Sequence, residues 1–263
     1  MRKSDGKIHY SHIKHIDQSP MHLRADEDDP RSDSDAFAKG RAFHGLVLQG
    51  IIPKFWEGDR RGNKYKDALE ANGGEIIITQ RMYDDVMRMG ESTRKSRLAQ
   101  DLLCRCPNRE TYLEWERDGF DCAGTIDAHG IRTVLELKSC ESAQPYRFAK
   151  SASWYRYPEQ MAWYNTALGA MFLGEGSELF DSYIIACESA KPYAVSCHRV
   201  TPLRLIQAND RCSEWLRKYE QCKRLNYWPG WDESVWDIDC EIVSHTDDED
   251  DVELAAREPG QEG

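Results

Sequence analysis

Three charged residues near the middle of the chain have the types and spacing needed for metal-dependent hydrolysis of a phosphodiester. Asp127, Glu136 and Lys138 form the pattern D-x8-E-x-K. Carboxylate oxygens are ligands that Mg²⁺ prefers, and a bound cation polarises a phosphoryl oxygen and acidifies a bound water molecule. A neighbouring lysine can orient that water and stabilise developing charge. The alternative interpretation is a solvated strand face that carries an ordinary charge pair.

The strand predicted at 133–139 must hold two of these charges side by side. Successive side chains of a strand point to opposite faces of the sheet. Glu136 and Lys138 therefore share one face, while Leu135 and Leu137 take the other. The backbone carbonyl between the two charges, that of Leu137, could complete the oxygen ligands of a cation.

The position of Asp127 sets a geometric condition on any metal site. A two-residue hairpin turn at 129–130 would pair Asp127 with Arg132. Glu136 would then lie about 13 Å farther along the strand, at a rise of roughly 3.3 Å per residue. Two ligands of one cation cannot lie that far apart. A shared site therefore requires a wider loop near 128–133, or a bulge.

Periodicity and turn signals predict the elements that surround this motif. Asp118-Gly119 is a strong signal for a hairpin. The predicted helices cover 36–50, 80–104 with a break at Gly90, 144–172 in two parts, and 202–226, and the predicted strands cover 73–79, 110–117, 120–128, 133–139, 181–189 and 192–200. This order predicts an α/β layer architecture with a mixed central sheet.

Two helical motifs offer polar groups that could reach the same site. Gln160 and Tyr164 are four residues apart and therefore share one helix face. Gly40 and His44 have the same spacing on the first long helix. Taken alone, each of these residues is more often a packing or surface residue than a functional one.

Taken together and in this order, the motifs resemble those of the PD-(D/E)xK nucleases of the RecB, RecE and lambda-exonuclease type. The resemblance covers roughly residues 8–231 and includes a Glu on an earlier strand, matched by Glu110, which we interpret as structural rather than as a ligand. It implies a restriction-endonuclease-like α/β core, with a mixed central β-sheet flanked by helices. The chain departs from the family pattern in having Pro158 close before Gln160, and in its short Asp-to-Glu spacing.

The resemblance also implies a role for each matched residue. The implied metal ligands are His44, Asp127, Glu136 and the Leu137 carbonyl, the implied catalytic residues are Asp127, Glu136, Lys138 and Gln160, and the implied DNA contacts are Gln160 and Tyr164. Lys138 would position the attacking water. Arg41, one turn before His44, is our own candidate for binding a terminal or scissile phosphate. Aromatic residues between 154 and 164 could stack on unpaired bases, although core packing explains most of them equally well.

The implied activity is Mg²⁺-dependent exonucleolytic hydrolysis at double-stranded DNA ends, in the 5′→3′ direction, during phage-type recombination or repair. Mn²⁺ would substitute for Mg²⁺. The implied partners are DNA ends, further copies of the same chain in a ring, and a single-strand annealing protein. Two alternatives stay open: a structure-specific or guide-system-associated endonuclease on the same fold, and a DNA-end-binding protein without turnover.

The net charge of −11 is unevenly distributed and does not exclude a nucleic acid partner. Residues 1–35, an N-terminal segment with a polar loop, carry 6 basic and 8 acidic side chains, and the tail at 231–263 carries 1 and 13. The predicted nuclease domain at 36–230 therefore carries 28 and 25, a net charge of +3. The tail is predicted to be disordered. It has three interpretations: an inert solubilising segment, a mimic of DNA in the basic groove, or a docking segment for a partner protein.

The remaining composition predicts a cytoplasmic protein without membrane contact, and the resemblance to phage-type exonucleases implies a bacterial host cell. No stretch approaches the roughly 20 apolar residues of a membrane helix, and the N-terminus lacks the apolar core of a secretory signal. The nine cysteines contain no CxxC pair, so we predict reduced thiols. The alternative is an iron–sulfur cluster held by Cys104, Cys106, Cys212 and Cys222.

Overall fold

The computed structural model describes residues 6–28, 34–57, 62–71, 77–172 and 180–231. Its helices are α1 (Tyr10–Ile13), α2 (Pro20–Asp28), α3 (Asp35–Gln49), α4 (Asn63–Ala71), α5 (Gln80–Lys95), α6 (Arg97–Arg105), α7 (Pro145–Trp154), α8 (Tyr157–Phe172) and α9 (Pro202–Leu225). Its strands are β1 (Ile8–His9), β2 (Lys54–Trp56), β3 (Ile77–Thr79), β4 (Asn108–Arg117), β5 (Phe120–His129), β6 (Thr133–Cys140), β7 (Asp181–Glu188) and β8 (Val195–Val200). Among these described residues, no helix has the length and apolar character needed to cross a bilayer.

The central sheet is mixed and is organised around β5. β5 pairs with β4 along one edge, and with β1 and β6 at different points along the other. β6 and β7 are parallel, and β7 and β8 are antiparallel. The β4–β5 hairpin turns at Asp118 and Gly119, whose φ angles of 51° and 81° give the left-handed geometry that a tight two-residue turn requires. The predicted mixed sheet, flanked by helices, is confirmed.

The chain before α3 contributes to this sheet and to its core. β1 pairs in parallel with β5, with Ile8 opposite Cys122. Ile13 and Ile16 are fully buried in the apolar core on the α8 side of the sheet. The acidic tail after Trp231 lies outside the described residues.

Side chains of β6 divide between the two faces of the sheet as the alternation predicts. Val134 packs with Trp163 of α8 in one core cluster. Leu135 and Leu137 pack with Phe43 of α3 in the cluster on the other face. Burial of such side chains stabilises the fold by about 1.5–3 kcal/mol each. Because both faces of β6 are covered, its polar side chains lie in a largely dry environment between α3 and α8.

The helix break predicted at Gly90 is wrong. α5 continues through this glycine, and the break comes at Ser96, whose hydroxyl accepts a hydrogen bond from the Ala99 N–H and caps α6. Gly90 lies instead where α5 packs against α3. A Cβ at this position would lie 2.6 Å from Leu46 Cδ2, so a larger residue would require the Leu46 side chain to move.

Several short elements differ from those that the sequence predicts. Neither α4 nor the parallel pair of β2 and β3 is among the predicted elements. The strand predicted at 73–79 is described only from Ile77, because 72–76 lie outside the described residues. β8 begins at Val195 rather than at residue 192. Strands of two or three residues are too short to show a periodic pattern.

The loop between β5 and β6 depends on Gly130. A Cβ at this position would lie 2.0 Å from the Arg105 carbonyl oxygen, a backbone atom at the end of α6. We expect Gly130→Ala to lower the free energy of unfolding by about 1–3 kcal/mol, as overpacking typically does. Urea denaturation followed by circular dichroism measures this difference.

The matched control is Gly169→Ala on α8. A Cβ there would meet nothing within 4 Å. We expect this variant to be more stable than the wild type by about 0.5–1 kcal/mol, because alanine is the better helix former. If the two variants had the same effect on stability, the close approach at Gly130 would not be what matters.

Candidate active site

The loop between β5 and β6 is wider than a two-residue turn. His129 pairs with Val134, which leaves a loop at 130–133. The same register, continued along both strands, places Asp127 opposite Glu136. The prediction of a wider loop is therefore confirmed, and the two acidic residues of the motif lie across from each other rather than at opposite ends of a strand.

A kink in the β4–β5 hairpin directs Asp127 away from regular strand geometry. Ile126 and Ala128 lie in different core clusters, so the alternation of side chains along β5 changes between them. Glu110, opposite Asp127 in the hairpin register, has a left-handed φ of 46°. The Asp127 carboxylate then accepts the Leu137 N–H at 2.7 Å, in place of a backbone acceptor. This hydrogen bond fixes Asp127 beside the backbone of β6.

Three side chains that can bind a metal meet at this kink. Three possible metal-ligand atoms, one from each of His44, Glu110 and Asp127, lie within 4.8 Å of one another. His44 comes from α3, a helix capped by the Ser34 hydroxyl and packed across β4, β5 and β6. One ring nitrogen and two carboxylates form a donor set that suits Mg²⁺ or Mn²⁺. The residues present therefore fit a divalent cation.

His44 and Asp127 are electrostatically linked. Nδ1 of His44 lies 3.4 Å from Oδ1 of Asp127. Burial alone would lower the pKa of His44, but the charge of Asp127 and its hydrogen bond outweigh this and raise it. Burial alone would likewise raise the pKa of Asp127, yet His44, Lys138 and the Leu137 N–H hold it below its usual range. The carboxylate of Asp127 is therefore ionised at neutral pH.

Glu136 has one oxygen in a hydrogen-bond network and one without a partner. It is 3% exposed. Oε1 accepts from Lys138 Nζ at 2.6 Å and from Gln160 Nε2 at 2.7 Å. Oε2 is buried and has no hydrogen-bond partner in the described part of the chain. Glu136 is not part of the group formed by His44, Glu110 and Asp127, but a buried carboxylate oxygen without a hydrogen-bond partner is a suitable ligand for a cation.

Lys138 is held in a fixed position and remains charged. Nζ donates to Glu136 Oε1 at 2.6 Å and to Gln160 Oε1 at 3.0 Å, and it lies 4.7 Å from the centre of the Tyr157 ring. Burial alone would lower the pKa of Lys138, but the charges of Glu136 and Asp127 raise it above its usual value. The side chain is 16% exposed, so solvent still reaches it.

The remaining predicted residues are Gln160, Tyr164 and Arg41, and they lie at different distances from Glu136 and Lys138. Gln160 Nε2 lies 3.3 Å from the Tyr164 hydroxyl, so both residues of the helical motif are at the site. Tyr164 is 7% exposed and packs against Gly124 of β5, a position that suits support of Gln160 better than contact with DNA. Arg41 is exposed and lies one turn before His44. The roles of these residues stay predictions.

Leu137 lies at the site through its backbone, since its N–H bonds to Asp127 and its side chain is buried on the α3 face. Binding of a cation by its carbonyl stays a prediction. The sequence analysis interpreted Glu110 as structural, whereas the structure places its carboxylate among the metal-binding groups. The predicted two-residue turn at 118–119 already places residue 110 opposite Asp127. The register of the hairpin could therefore have identified Glu110 as a neighbour of Asp127 from the sequence.

The cysteines named for an iron–sulfur cluster do not meet. Within the described ranges, the one group of metal-binding side chains with suitable geometry is that of His44, Glu110 and Asp127. The described cysteines are free. Burial raises the pKa of the Cys106 thiol to about 11 and that of Cys212 to about 12, so both are neutral thiols at physiological pH.

The mixed sheet and the site on it define a domain of the PD-(D/E)xK nuclease superfamily. The chain belongs to the family described as PDDEXK-like domain of unknown function (DUF3799), whose sequence profile matches residues 9–240. A search of curated proteins found no match. The resemblance stated from the motifs is confirmed.

One of two similar solved structures shares this fold at low sequence identity. A protein named "Putative exonuclease" from Eubacterium rectale superposes with a TM-score of 0.60 at 12% identity, over 91% of this chain and 95% of that chain. A second structure, that of SSO0001, has a TM-score of 0.36 at 12% identity, over 82% of this chain and 78% of that chain, which is too low to bear on the fold. The first likeness shows the fold alone.

Cation affinity is expected to fall as the pH is lowered through 7. Burial and the charge of Asp127 raise the pKa of Glu136 to about 7, and the pKa of His44 is also raised, by Asp127. Both groups must lose a proton to bind a cation. Since each pKa lies above its ordinary value, protons compete with the cation below about pH 7. The dissociation constant should rise about tenfold or more per pH unit there.

Calorimetric titration with Mn²⁺ at pH 6, 7 and 8 measures this dependence. Glu136→Gln should show a shallower dependence, because only the proton on His44 then competes. Equal affinities of the wild type at pH 6 and pH 8 would contradict the assignment of these two groups as ligands.

Proposed function

We propose that this protein is a divalent-metal-dependent deoxyribonuclease that degrades double-stranded DNA from its ends in the 5′→3′ direction. Mg²⁺ would be the natural cation and Mn²⁺ a substitute. The observation that supports the proposal best is the Glu136 carboxylate, which is shared with Lys138 and Gln160 on one oxygen and has no partner within the described residues on the other. The charged amine of Lys138 therefore lies next to a buried carboxylate group whose second oxygen could bind a cation.

The chain supplies distinct parts of the hydrolysis. A cation bound by His44, Glu110, Asp127 and Glu136 would polarise the phosphoryl oxygen and acidify a water molecule. The Lys138 ammonium, held through Glu136, can orient the attacking water and stabilise the negative charge that develops on the phosphate. Gln160 accepts a hydrogen bond from Lys138 through Oε1 and donates one to Glu136 through Nε2. These two bonds keep both charged groups in place before substrate binds.

Cleavage from DNA ends is supported by the resemblance of the motifs to exonucleases of the RecE and lambda type. The name of the Eubacterium rectale protein agrees with it. The proposal includes a setting in phage-type recombination or repair in the cytoplasm of a bacterial host cell. It further includes assembly of several copies into a ring around DNA, with a single-strand annealing protein as partner.

Digestion of defined DNA substrates tests the activity and its dependence on ends. Linear duplex DNA with Mg²⁺ should be degraded to mononucleotides, and covalently closed circular duplex should resist. A duplex protected by phosphorothioates at its 5′ ends should resist as well, whereas protection at the 3′ ends should not. Equal cleavage of closed circles would favour the endonuclease alternative, and absence of cleavage with either cation would favour a DNA-end-binding protein.

Sedimentation of the full chain, with and without a linear duplex, tests the proposed ring. A single species larger than the monomer, which persists at micromolar concentration, is the expected result. A monomer that degrades linear DNA would remove the ring from the proposal and leave the activity intact.

A further inference from the structure

The C-terminal end of α7 presents large aromatic side chains to solvent. Trp154 is 80% exposed and Tyr155 is 56% exposed. Tyr146, about two turns earlier on the same helix, is also exposed. Single exposed apolar residues are common, but Tyr146 and Trp154 line one depression and Tyr155 directly follows Trp154. Clustered exposed aromatic side chains commonly mark binding surfaces. The proposed hydrolytic mechanism uses none of the three.

The turn that follows these aromatics is held in an unusual conformation. Arg156 has a left-handed φ of 60°, a conformation that is unfavourable for a non-glycine residue and persists only where its surroundings enforce it. Its guanidinium Nε donates to Asp17 at 2.7 Å, and its carbonyl accepts from the Tyr10 hydroxyl. Two contacts from the distant N-terminal part of the chain therefore fix the turn, and with it the backbone that carries Trp154 and Tyr155.

A row of aromatic rings connects this surface to the candidate active site. The ring of Tyr155 stacks on that of Tyr157, with a distance of 5.8 Å between ring centres and an angle of 24°. The opposite end of the row is Lys138, whose Nζ lies 4.7 Å from the centre of the Tyr157 ring. The exposed patch therefore adjoins the amine that we place at the scissile phosphate.

Positive charge accompanies the aromatics. Tyr146, Ala149, Lys150, Ser153, Trp154 and Arg156 line an open depression of about 590 Å³. Lys150 Nζ lies 4.5 Å from the centre of the Tyr146 ring. None of these six lining residues is acidic. Aromatic rings for stacking and cations for phosphates, side by side, are the combination by which proteins hold single-stranded nucleic acid.

We propose that the surface formed by Tyr146, Trp154 and Tyr155 stacks on unpaired bases of single-stranded DNA, with Lys150 near its phosphates. The bases of an intact duplex are stacked on each other and offer no free face, so the ligand is an unpaired strand. The choice of DNA rests on the proposed function. The enzyme would then take hold of a DNA end by its frayed or overhanging strand, next to Lys138.

Binding of a fluorescently labelled oligonucleotide of about 12 nucleotides, in EDTA so that no cleavage occurs, tests the proposal. Trp154→Ala should raise the dissociation constant at least about fivefold, the loss expected for one stacked base. Trp154→Leu, which keeps apolar bulk without an aromatic ring, should show a similar loss. Trp154→Phe should stay within about twofold of the wild type. Tyr227→Ala, at an exposed aromatic residue beyond α9, is the matched control and should bind normally.

A relaxed, covalently closed circular duplex supplies the contrasting ligand, because it has neither ends nor unpaired loops. Trp154→Ala should leave its dissociation constant unchanged. The proposal is overturned if Trp154→Ala binds the single strand as well as the wild type does, or weakens both ligands equally. It is also overturned if the variant changes only the sedimentation of the protein, because the patch would then be a contact between copies of the chain.

Failure of this inference and failure of the proposed function can be told apart. A protein that degrades linear duplex but binds single strands independently of Trp154 keeps its function and loses the stacking surface. A protein that degrades no DNA, yet binds single strands through Trp154, keeps the surface and loses the proposed function.

Discussion

Lys138→Ala is expected to lower the rate of DNA hydrolysis by about 10²–10³-fold, the loss typical of removing one group that stabilises charge in a transition state. The ammonium is held at 2.6 Å from Glu136 and 3.0 Å from Gln160, and its raised pKa keeps it charged. Single-turnover digestion of a linear duplex at saturating Mg²⁺ measures the effect. Binding of the same duplex without a cation should change little.

Two further variants show whether the charge itself is responsible. Lys138→Met keeps the aliphatic packing over Tyr157 without the charge, and it should be as inactive as the alanine variant. Lys218→Ala removes an exposed lysine of α9 and should leave the rate unchanged. Activity of the Met variant close to that of the wild type would remove Lys138 from the reaction.

Asp127→Asn is expected to abolish the stabilisation that a bound cation gives to the fold. For the wild type, Mg²⁺ at one hundred times its dissociation constant should raise the free energy of unfolding by about 2.7 kcal/mol. Asp127 is the residue that joins His44 and Glu110 to the backbone of β6. An asparagine oxygen can still accept the Leu137 N–H, so the variant should fold but lose the negative charge that attracts the cation.

Urea denaturation with Mg²⁺ and with EDTA measures the difference, and DNA digestion by the variant should be lost as well. Asp181→Asn is the matched control, because Asp181 is a half-exposed aspartate paired with Arg199 at the start of β7. It should respond to Mg²⁺ as the wild type does. Undiminished stabilisation of Asp127→Asn by Mg²⁺ would show that the cation binds elsewhere.

The sequence determined those features that depend on neighbouring residues along the chain. Alternation along β6 placed Glu136 and Lys138 on one face, since strand geometry leaves no other choice. The turn residues Asp118 and Gly119 determined the hairpin and its register, because few residues adopt two successive left-handed conformations. The spacing of four residues between Gln160 and Tyr164 likewise placed both on one helix face. The order of these motifs was enough to identify the superfamily.

Tertiary structure decided which of these groups meet. His44 reaches the site because α3 packs across the sheet, a contact between residues more than eighty positions apart that no local pattern encodes. Glu110 joins it because the hairpin kinks at a left-handed residue, and backbone strain of this kind is imposed by surrounding packing rather than by propensity. The same holds for Arg156, whose conformation depends on Asp17 and Tyr10. Local residue patterns thus predict the individual elements and motifs. The candidate metal site and the position of the exposed aromatic residues beside it depend on the packing of distant segments.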